Sequence, residues 1–511
     1  MAAEVDRLLA VEFKQYGVEP AGLTRDEDFL RRAMLDLAGT IPTANDVTQF
    51  GLDPDPEKRA KRIASLLESD DYSRTWAGYL REVIFSRATE TRARAIQRDF
   101  EGWLVEQLAA NRHWDDLTTD LLTATGELTE APAGALIFAH TGKPEELAGE
   151  VSRIFLGIQL QCANCHDHPY DAWKREQFHE LAAYFPRVTV RQELQERPPV
   201  FTVASTSFPA ARMMLQDVDP ERGFRFMDRN RDGKLVKSET GQRGPLAQRF
   251  DRVLENFDAD KDGGLSQEEY MASVEALQNL PGRGSPEYYM PDLNNPTARG
   301  TLIEPKFFVD GSGLARGADD LERRRALAKS ITDPKNPWFA RAFVNRVWTE
   351  LLGEGFYNPV DDIGPERSCD YESVLAALAG GFVAADYDIR WLFETIARTD
   401  AYQRQLGGRQ AGEISPAFAA AVPVRLNSDK IYNSTPRTGN GAVERGLQRE
   451  YGTCGAQRSA AVPTGLRRCR PGPVPVLQFV QLRPVDSTGR DPRQRAAGSL
   501  HDELTVPRRG D

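Results

Sequence analysis

Two acidic segments carry oxygen-bearing side chains at a regular spacing. The first, DRNRDGKLVKSE, covers residues 228–239, and the second, DADKDGGLSQEE, covers residues 258–269. Calcium takes six to eight hard oxygen ligands in a flexible geometry, and a twelve-residue loop with glycine at position 6 can supply them. The pattern therefore predicts two calcium sites close together in the chain.

The EF-hand loop takes its ligands from positions 1, 3, 5, 7, 9 and 12. In the first loop these are Asp228, Asn230, Asp232, the Lys234 carbonyl and Glu239. In the second loop they are Asp258, Asp260, Asp262, the Gly264 carbonyl, Ser266 and Glu269. Gly233 and Gly263 occupy the bend, and Leu235 and Leu265 at position 8 are expected to pair in a short two-stranded contact. Magnesium is a poorer match, because it prefers a small octahedral shell with retained water.

The two loops are not equivalent. The second has four ligand carboxylates, whereas the first has three and is crowded by the cations Arg229, Arg231 and Lys234. We therefore expect tighter calcium binding at the second loop. Met227 and Met271 do not make a methionine-rich groove, which disfavours a calmodulin-like switch.

A second chemical signal is the segment QCANCHDHPYDAW, residues 161–173. Cys162, Cys165 and His166 form the Cys-x-x-Cys-His pattern of covalent c-type haem attachment. A tetrahedral zinc site that adds His168 is an alternative, since two thiolates and two imidazoles suit zinc. A disulfide or redox pair is the third. His140 and His179 are candidates for a sixth iron ligand, although His179 also fits a helix-surface residue.

The elements that position these groups are mostly helices. Apolar residues recur with a 3.6-residue period through the first 185 residues and again after about residue 321. A capping box at Thr24 and Glu27, a stop at Gly39, a restart at 42–46 and a helix over 145–160 are predicted. Short strands are expected at 301–303 and 306–309.

The fold class is therefore a mainly α, multi-domain protein with a paired EF-hand insert and short β segments. We divide the chain into a helical domain with the Cys-x-x-Cys-His motif (residues 1–185), the EF-hand pair (186–285) and a linker with short strands (286–330). A second helical domain that could be incomplete (331–435) and a tail (436–511) follow. The tail is rich in Arg, Pro and Gly and is expected to be disordered.

Composition narrows the function. The net charge of −11 over 511 residues argues against general nucleic-acid binding, and no apolar stretch is long enough to span a bilayer. Glu4, Asp6 and Glu12 interrupt the N-terminal segment, so we do not expect it to act as a secretory signal. Phosphate-binding loops, a nucleophile elbow and a His-Glu-x-x-His motif are missing, and we assign no catalytic residue.

The chain resembles the planctomycete cytochrome-associated proteins that pair the domains DUF1549 and DUF1553. The resemblance rests on VDRLLAVEFKQYGVEP, FLRRAMLDLAGTIPT and CANCHDHPYDAWKREQFHELAAYF in the first domain. In the second it rests on NPWFARAFVNRVWTELLGEGFYNPVDDIG, YDIRWLFETIARTDAYQRQ and VPVRLNSDKIYNS. It implies an exported protein, periplasmic or secreted, with a haem motif at Cys162, Cys165 and His166. Electron transfer or a part in polysaccharide breakdown is suggested for such proteins.

Asn345, Arg346 and Trp348 match the Asn-Arg-Val-Trp core of the second domain. Trp348 fits core packing, and Arg346 is expected to pair with Asp361 or Asp362. The first functional hypothesis is a calcium-binding, cytochrome-c-like protein that transfers electrons to a redox partner. The alternative is a calcium-dependent binding or scaffold protein in polysaccharide breakdown, with structural zinc at the Cys/His cluster. A hydrolase with a metal-held Cys/His site is the third.

Overall fold

The structure is a computed structural model. It describes residues 1–193, 199–205, 220–240, 250–278, 287–295, 298, 300–315, 317–369, 371–407, 418–424 and 426–434. The described chain is mainly helical, with a few short strands in small sheets, as the sequence predicts. The tail at 436–511 lies outside the described residues, so its expected disorder stays a prediction.

Within the described residues, ten helices precede the acidic loops. They are α1 Ala2–Gln15, α2 Asp26–Ala38, α3 Ala44–Leu52, α4 Lys58–Leu67, α5 Asp70–Phe85, α6 Glu90–Ala109, α7 Trp114–Thr123, α8 Ala135–Ala139, α9 Pro144–Val151 and α10 Arg175–Ala182. Three more flank the loops: α11 Pro220–Met227, α12 Phe250–Phe257 and α13 Gln267–Gln278. The remaining six are α14 Asp320–Thr332, α15 Pro337–Leu352, α16 Glu372–Ala384, α17 Ile389–Ala397, α18 Asp400–Gln403 and α19 Ser428–Ser434.

Local cap chemistry sets the ends of the early helices. Gly39 ends α2 with a left-handed backbone (φ 65°), as predicted. Thr43 and Asp46 then form a reciprocal capping box that starts α3. The predicted box at Thr24 is wrong, because α2 begins one residue later with Arg25 at its N-cap and no side-chain cap bond.

The helix predicted over 145–160 is shorter than expected. α9 ends at Val151, a π-helical turn follows over Ser152–Leu156, and Gly157 reverses the chain at φ 68°. A Cβ on Gly157 would lie 2.7 Å from Ile363 Cδ1. Glycine is therefore required both by the left-handed backbone and by the close approach of the later segment.

Seven short strands form three small antiparallel sheets among the described residues. The strands are β1 Gly126–Glu127, β2 Val188–Glu193, β3 Val200–Ser205, β4 Lys234–Leu235, β5 Leu265–Ser266, β6 Tyr288–Met290 and β7 Thr301–Ile303. The order in the largest sheet is β1-β3-β2, with Val190 opposite Val203. β6 pairs with β7, which confirms the predicted strand at 301–303.

The strand predicted at 306–309 is wrong. Phe307 and Phe308 are buried, but their backbone turns back at Gly311, whose N–H donates to the Phe307 carbonyl at 2.8 Å. Only an isolated bridge between Lys306 and Gly313 remains. Burial of the aromatic pair, rather than strand pairing, explains the apolar run.

One hydrophobic core joins helices from both ends of the chain. Trp114 of α7 stacks on Phe343 of α15 with ring centroids 4.4 Å apart, and Tyr72 of α5 meets Phe393 of α17 edge-on at 5.6 Å. The segments before residue 190 and after residue 320 therefore bury their apolar faces against each other.

The acidic loops have a small core of their own. Its buried members are Phe224, Leu235, Phe250, Val253, Leu265 and Tyr270. α11 leads into the first loop, α12 leads into the second, and α13 begins within the second loop at Gln267. The three described helices and the two loops thus pack around one apolar centre.

No helix in the described ranges combines the length and the apolar character needed to cross a membrane.

Candidate metal centres

The second acidic loop brings three carboxylates together. Asp258, Asp260 and Asp262 each offer an oxygen, and these oxygens all lie within 4.8 Å of one another. Backbone N–H groups hold the carboxylates in place: Gly263 donates to Asp258 Oδ2 at 2.9 Å and Gly264 to Asp262 Oδ1 at 3.0 Å. Gly263 has φ 84°, so it makes the predicted bend.

Glu269 closes the same loop from its twelfth position. Its Oε1 accepts from the Ala259 N–H at 2.7 Å, and its Oε2 accepts from the Ser266 N–H and hydroxyl, both at 2.9 Å. The Ser266 and Ala259 amides lower the pKa of Glu269. Desolvation and the neighbouring carboxylates of Asp258 and Glu269 raise the pKa of Asp260 instead. Crowded anions of this kind are relieved by a cation.

The first loop repeats the arrangement with one amide in place of a carboxylate. Gly233 N–H donates to Asp228 Oδ2 at 3.0 Å, and Glu239 accepts from the Asn230 and Val236 amides at 3.3 and 3.2 Å. The other oxygen of Asp228, Oδ1, is buried without a hydrogen-bond partner. A buried, unpartnered carboxylate oxygen at position 1 is chemically suited to a cation.

The two loops pair as expected. β4 and β5 form an antiparallel contact in which Leu235 lies opposite Leu265 and Lys234 opposite Ser266. Both leucines are fully buried. The loops are thereby held side by side as one unit.

The Cys/His segment lies at the protein surface. A 3₁₀ turn over Leu160–Asn164 presents Cys162, and Cys165 follows it; both thiols are free and exposed. The exposed His166 has its Nδ1 at 2.7 Å from the Asp167 carbonyl oxygen. A carbonyl only accepts, so Nδ1 carries the proton and Nε2 is left as the ligand atom.

Asp167 ties this segment to α10. Its carboxylate accepts from the Arg175 backbone N–H and from the Lys174 ammonium, both at 3.0 Å. The Arg175 amide and then Lys174 lower the pKa of Asp167. The residue that follows the motif histidine thus fixes the start of the next helix.

A buried chain of polar groups supports the turn from below. His179 Nε2 lies 3.0 Å from the Asn164 carbonyl, and its Nδ1 lies 2.8 Å from the Tyr288 hydroxyl, which also contacts Glu145 Oε1 at 2.8 Å. Burial lowers the pKa of His179 to about 4, so the ring is neutral at pH 7. His179 is fully buried, which overturns the expectation of a surface residue.

Neither sixth-ligand candidate offers its Nε2. In His179 that nitrogen must be protonated to donate to Asn164, and His140 Nε2 lies 3.1 Å from the Ile84 carbonyl. Both imidazoles are buried and engaged with backbone acceptors. Both histidines therefore have a structural role in this conformation.

The four donors of the zinc alternative do not come together. Within the described residues, the only group of three or more candidate ligands that converge is the aspartate triad of the second loop. Cys162, Cys165, His166 and His168 are therefore not arranged as a preformed tetrahedral site.

The later part of the chain also contacts the Cys/His segment. Asp171 Oδ1 accepts from the Glu366 N–H at 3.3 Å, and its carboxylate lies against Gly364, where a Cβ would be 1.7 Å from Oδ2. The Gly157 carbonyl accepts from the Ile363 N–H at 2.9 Å. The loop after α15 thus contacts residues on both sides of the motif, Gly157 before it and Asp171 after it.

Asn345, Arg346 and Trp348 have structural roles. Asn345 Oδ1 accepts from the Phe356 N–H at 2.8 Å, and Arg346 pairs with Asp361, as predicted. Trp348 is fully buried, with its ring centroid 4.8 Å from that of Phe356, which confirms core packing. None of the three faces an open site among the described residues.

Sequence reasoning missed the Glu145–Tyr288–His179 chain and the Asp171 contact. Each of these contacts joins residues more than 100 positions apart, so no spacing rule connects them. The residue types, a tyrosine and a histidine in apolar surroundings, do not indicate that the two side chains contact each other.

Comparison with known proteins matched two separate segments of the chain. Residues 4–190 match the family model PSCyt2, a protein of unknown function (DUF1549). Residues 323–445 match PSD1, a protein of unknown function (DUF1553). No curated protein and no solved structure matched the chain.

Proposed function

We propose that this DUF1549/DUF1553 chain is a calcium-binding protein whose paired EF-hand loops take two Ca²⁺ ions. The observation that carries the proposal is the convergence of Asp258, Asp260 and Asp262 within 4.8 Å of one another. The buried, unpartnered Asp228 Oδ1 supports a second ion in the first loop. Oxygen-only donors with a glutamate at position 12 fit calcium.

The second loop is the tighter site in this proposal. It has four ligand carboxylates, and its Ser266 hydroxyl is already oriented by Glu269 at 2.9 Å. The first loop offers Asn230 Oδ1 instead of a carboxylate, and that oxygen accepts from the Asp232 N–H at 2.8 Å. Fewer ligand charges weaken the attraction for a divalent ion.

Calcium titration of the full chain tests this proposal. We expect about two equivalents to bind. Glu269→Gln removes a charge and a bidentate ligand, so it weakens the tighter site about tenfold or more, or about 1.4 kcal/mol per tenfold step. Glu239→Gln affects the weaker site in the same way.

Glu268→Gln is the matched control, because Glu268 is the immediate neighbour of Glu269 and holds no ligand position. Isothermal titration calorimetry measures all three variants. Equal binding by Glu268→Gln and Glu269→Gln would contradict the assignment.

We also propose that Cys162 and Cys165 attach a c-type haem and that His166 Nε2 is its proximal ligand. The exposed thiols and the Nδ1 contact to Asp167 support this role, since a ligand imidazole donates its other nitrogen to a carbonyl or carboxylate. When bound, haem supplies a one-electron centre, consistent with electron exchange with a redox partner in an exported compartment. Because no three of Cys162, Cys165, His166 and His168 converge in the described structure, we favour haem over zinc.

Co-expression with a cytochrome maturation system tests haem attachment. We expect a covalent haem stain on denaturing gels that is lost in Cys162→Ser/Cys165→Ser, because no thiol of the Cys-x-x-Cys-His motif remains to form a thioether. Cys369→Ser keeps the stain, since Cys369 lies outside the motif. Zinc without iron in the purified protein would contradict the assignment.

A further inference from the structure

Lys234 belongs to the first acidic loop but reaches into the second. Its backbone forms β4 and lies opposite Ser266 of β5. Its ammonium makes an ion pair with Asp262 Oδ2 across the two loops. A residue of one calcium loop therefore neutralises a ligand carboxylate of the other.

The ammonium contacts one of the two oxygens of Asp262. Asp262 keeps its other oxygen on the Gly264 N–H, so Oδ2 is the oxygen available to a cation. The pair is partly solvated, because 47% of the Lys234 side chain and 27% of Asp262 remain exposed.

We propose that the Lys234 ammonium is an internal competitor that sets the calcium affinity of the second loop. This inference rests on the proposed calcium sites. Calcium that binds Asp262 must displace the ammonium or accept its repulsion, and both effects weaken binding. The backbone pairing with Ser266 keeps Lys234 beside the site, so the competitor is always at high local concentration.

Other cations of the two loops are placed differently. Arg229, Arg231 and Lys261 are exposed and make no ion pair with a second-loop carboxylate within the described structure. Lys261 even lies inside the second loop, at its fourth position. Contact with Asp262, and not nearby charge alone, distinguishes Lys234.

The experiment uses the full chain with Glu239→Gln in the background, which weakens the first loop further so that the second loop titrates first. Calcium chloride is titrated into this parent, Lys234→Gln and Lys261→Gln by calorimetry at low and high potassium chloride. We expect Lys234→Gln to bind calcium about fivefold more tightly at low salt, with the difference falling below about twofold at high salt.

Lys261→Gln makes the same charge change without the contact, and we expect less than about twofold tighter binding. Lys234→Arg retains a cation that can pair with Asp262, so its affinity stays near that of the parent. Equal effects of Lys234→Gln and Lys261→Gln, or none from either, would overturn the inference while leaving the calcium site intact. A parent that binds no calcium would overturn the proposed function itself.

Discussion

His179 illustrates how one buried side chain holds a surface motif. Its Nε2–H donates to the carbonyl of Asn164, which lies between the two cysteines, while Nδ1 contacts Tyr288. The neutral ring donates one hydrogen bond, from Nε2 to the Asn164 carbonyl, while the Tyr288 hydroxyl donates to Glu145. A charged ring would lose solvation without a carboxylate in direct contact. The turn that presents the thiols therefore depends on an uncharged histidine.

Acid should destabilise the protein through this residue. The folded pKa of His179 is about 4, below its unfolded value of 6.5, so its contribution is complete above pH 6.5 and is lost as the pH falls towards 4. We expect the unfolding free energy of the wild type to fall about 2 kcal/mol further between pH 7 and 4.5 than that of His179→Gln.

Urea denaturation at both pH values measures this difference. His113→Gln is the control, because His113 is only half-buried and lies at the N-cap of α7. An identical pH response in wild type and His179→Gln would show that the ring titrates normally in the folded protein.

At the scale of elements, the residues that begin and end the early helices act locally. Gly39 and the Thr43–Asp46 box act within a few residues of the ends they define, so the sequence predicts them. The end of α9 and the turn at Gly157 could not be predicted in that way. There the apolar period continues, and the approach of Ile363 decides where the chain must reverse.

The same contrast holds for the strands. The 301–303 segment pairs with β6, and the two leucines of β4 and β5 pair as their loop positions require. At 306–309 the apolar residues are buried by other parts of the chain, and the backbone is free to turn at Gly311. The pattern of apolar residues alone does not distinguish a paired strand from a buried turn.

At the scale of the whole molecule, a buried ion network joins early and late helices. Asp361 pairs with both Arg153, at 3.1 Å, and Arg346, and Arg153 also pairs with Glu150 at 2.6 Å. Both guanidinium groups are nearly inaccessible to solvent. Removing the shared carboxylate would leave them buried with less compensation.

We expect Asp361→Asn to lower the unfolding free energy by about 3 kcal/mol. Asp362→Asn is the matched control, since Asp362 is the next residue, pairs with the half-buried Arg367 and should cost less than about 1 kcal/mol. Guanidinium denaturation followed by circular dichroism compares the two. Equal midpoints would show that the network adds nothing beyond a surface pair.

Features whose chemistry depends on neighbouring residues can be predicted from the amino-acid sequence. The twelve-residue loops, the Cys-x-x-Cys-His motif, most helices and the pairing of Arg346 with a nearby aspartate follow from spacing within about fifteen residues. Their backbone geometry is set by hydrogen bonds and periodicity that such short segments contain.

Contacts between residues that are distant in sequence become visible only in the folded structure. It places Tyr288 and Glu145 beside His179, Asp171 beside Gly364, and the Lys234 ammonium on Asp262 of the neighbouring loop. No single-sequence pattern specifies which distant polar groups meet, because packing of the apolar faces brings those segments together and burial then requires the polar groups to find partners.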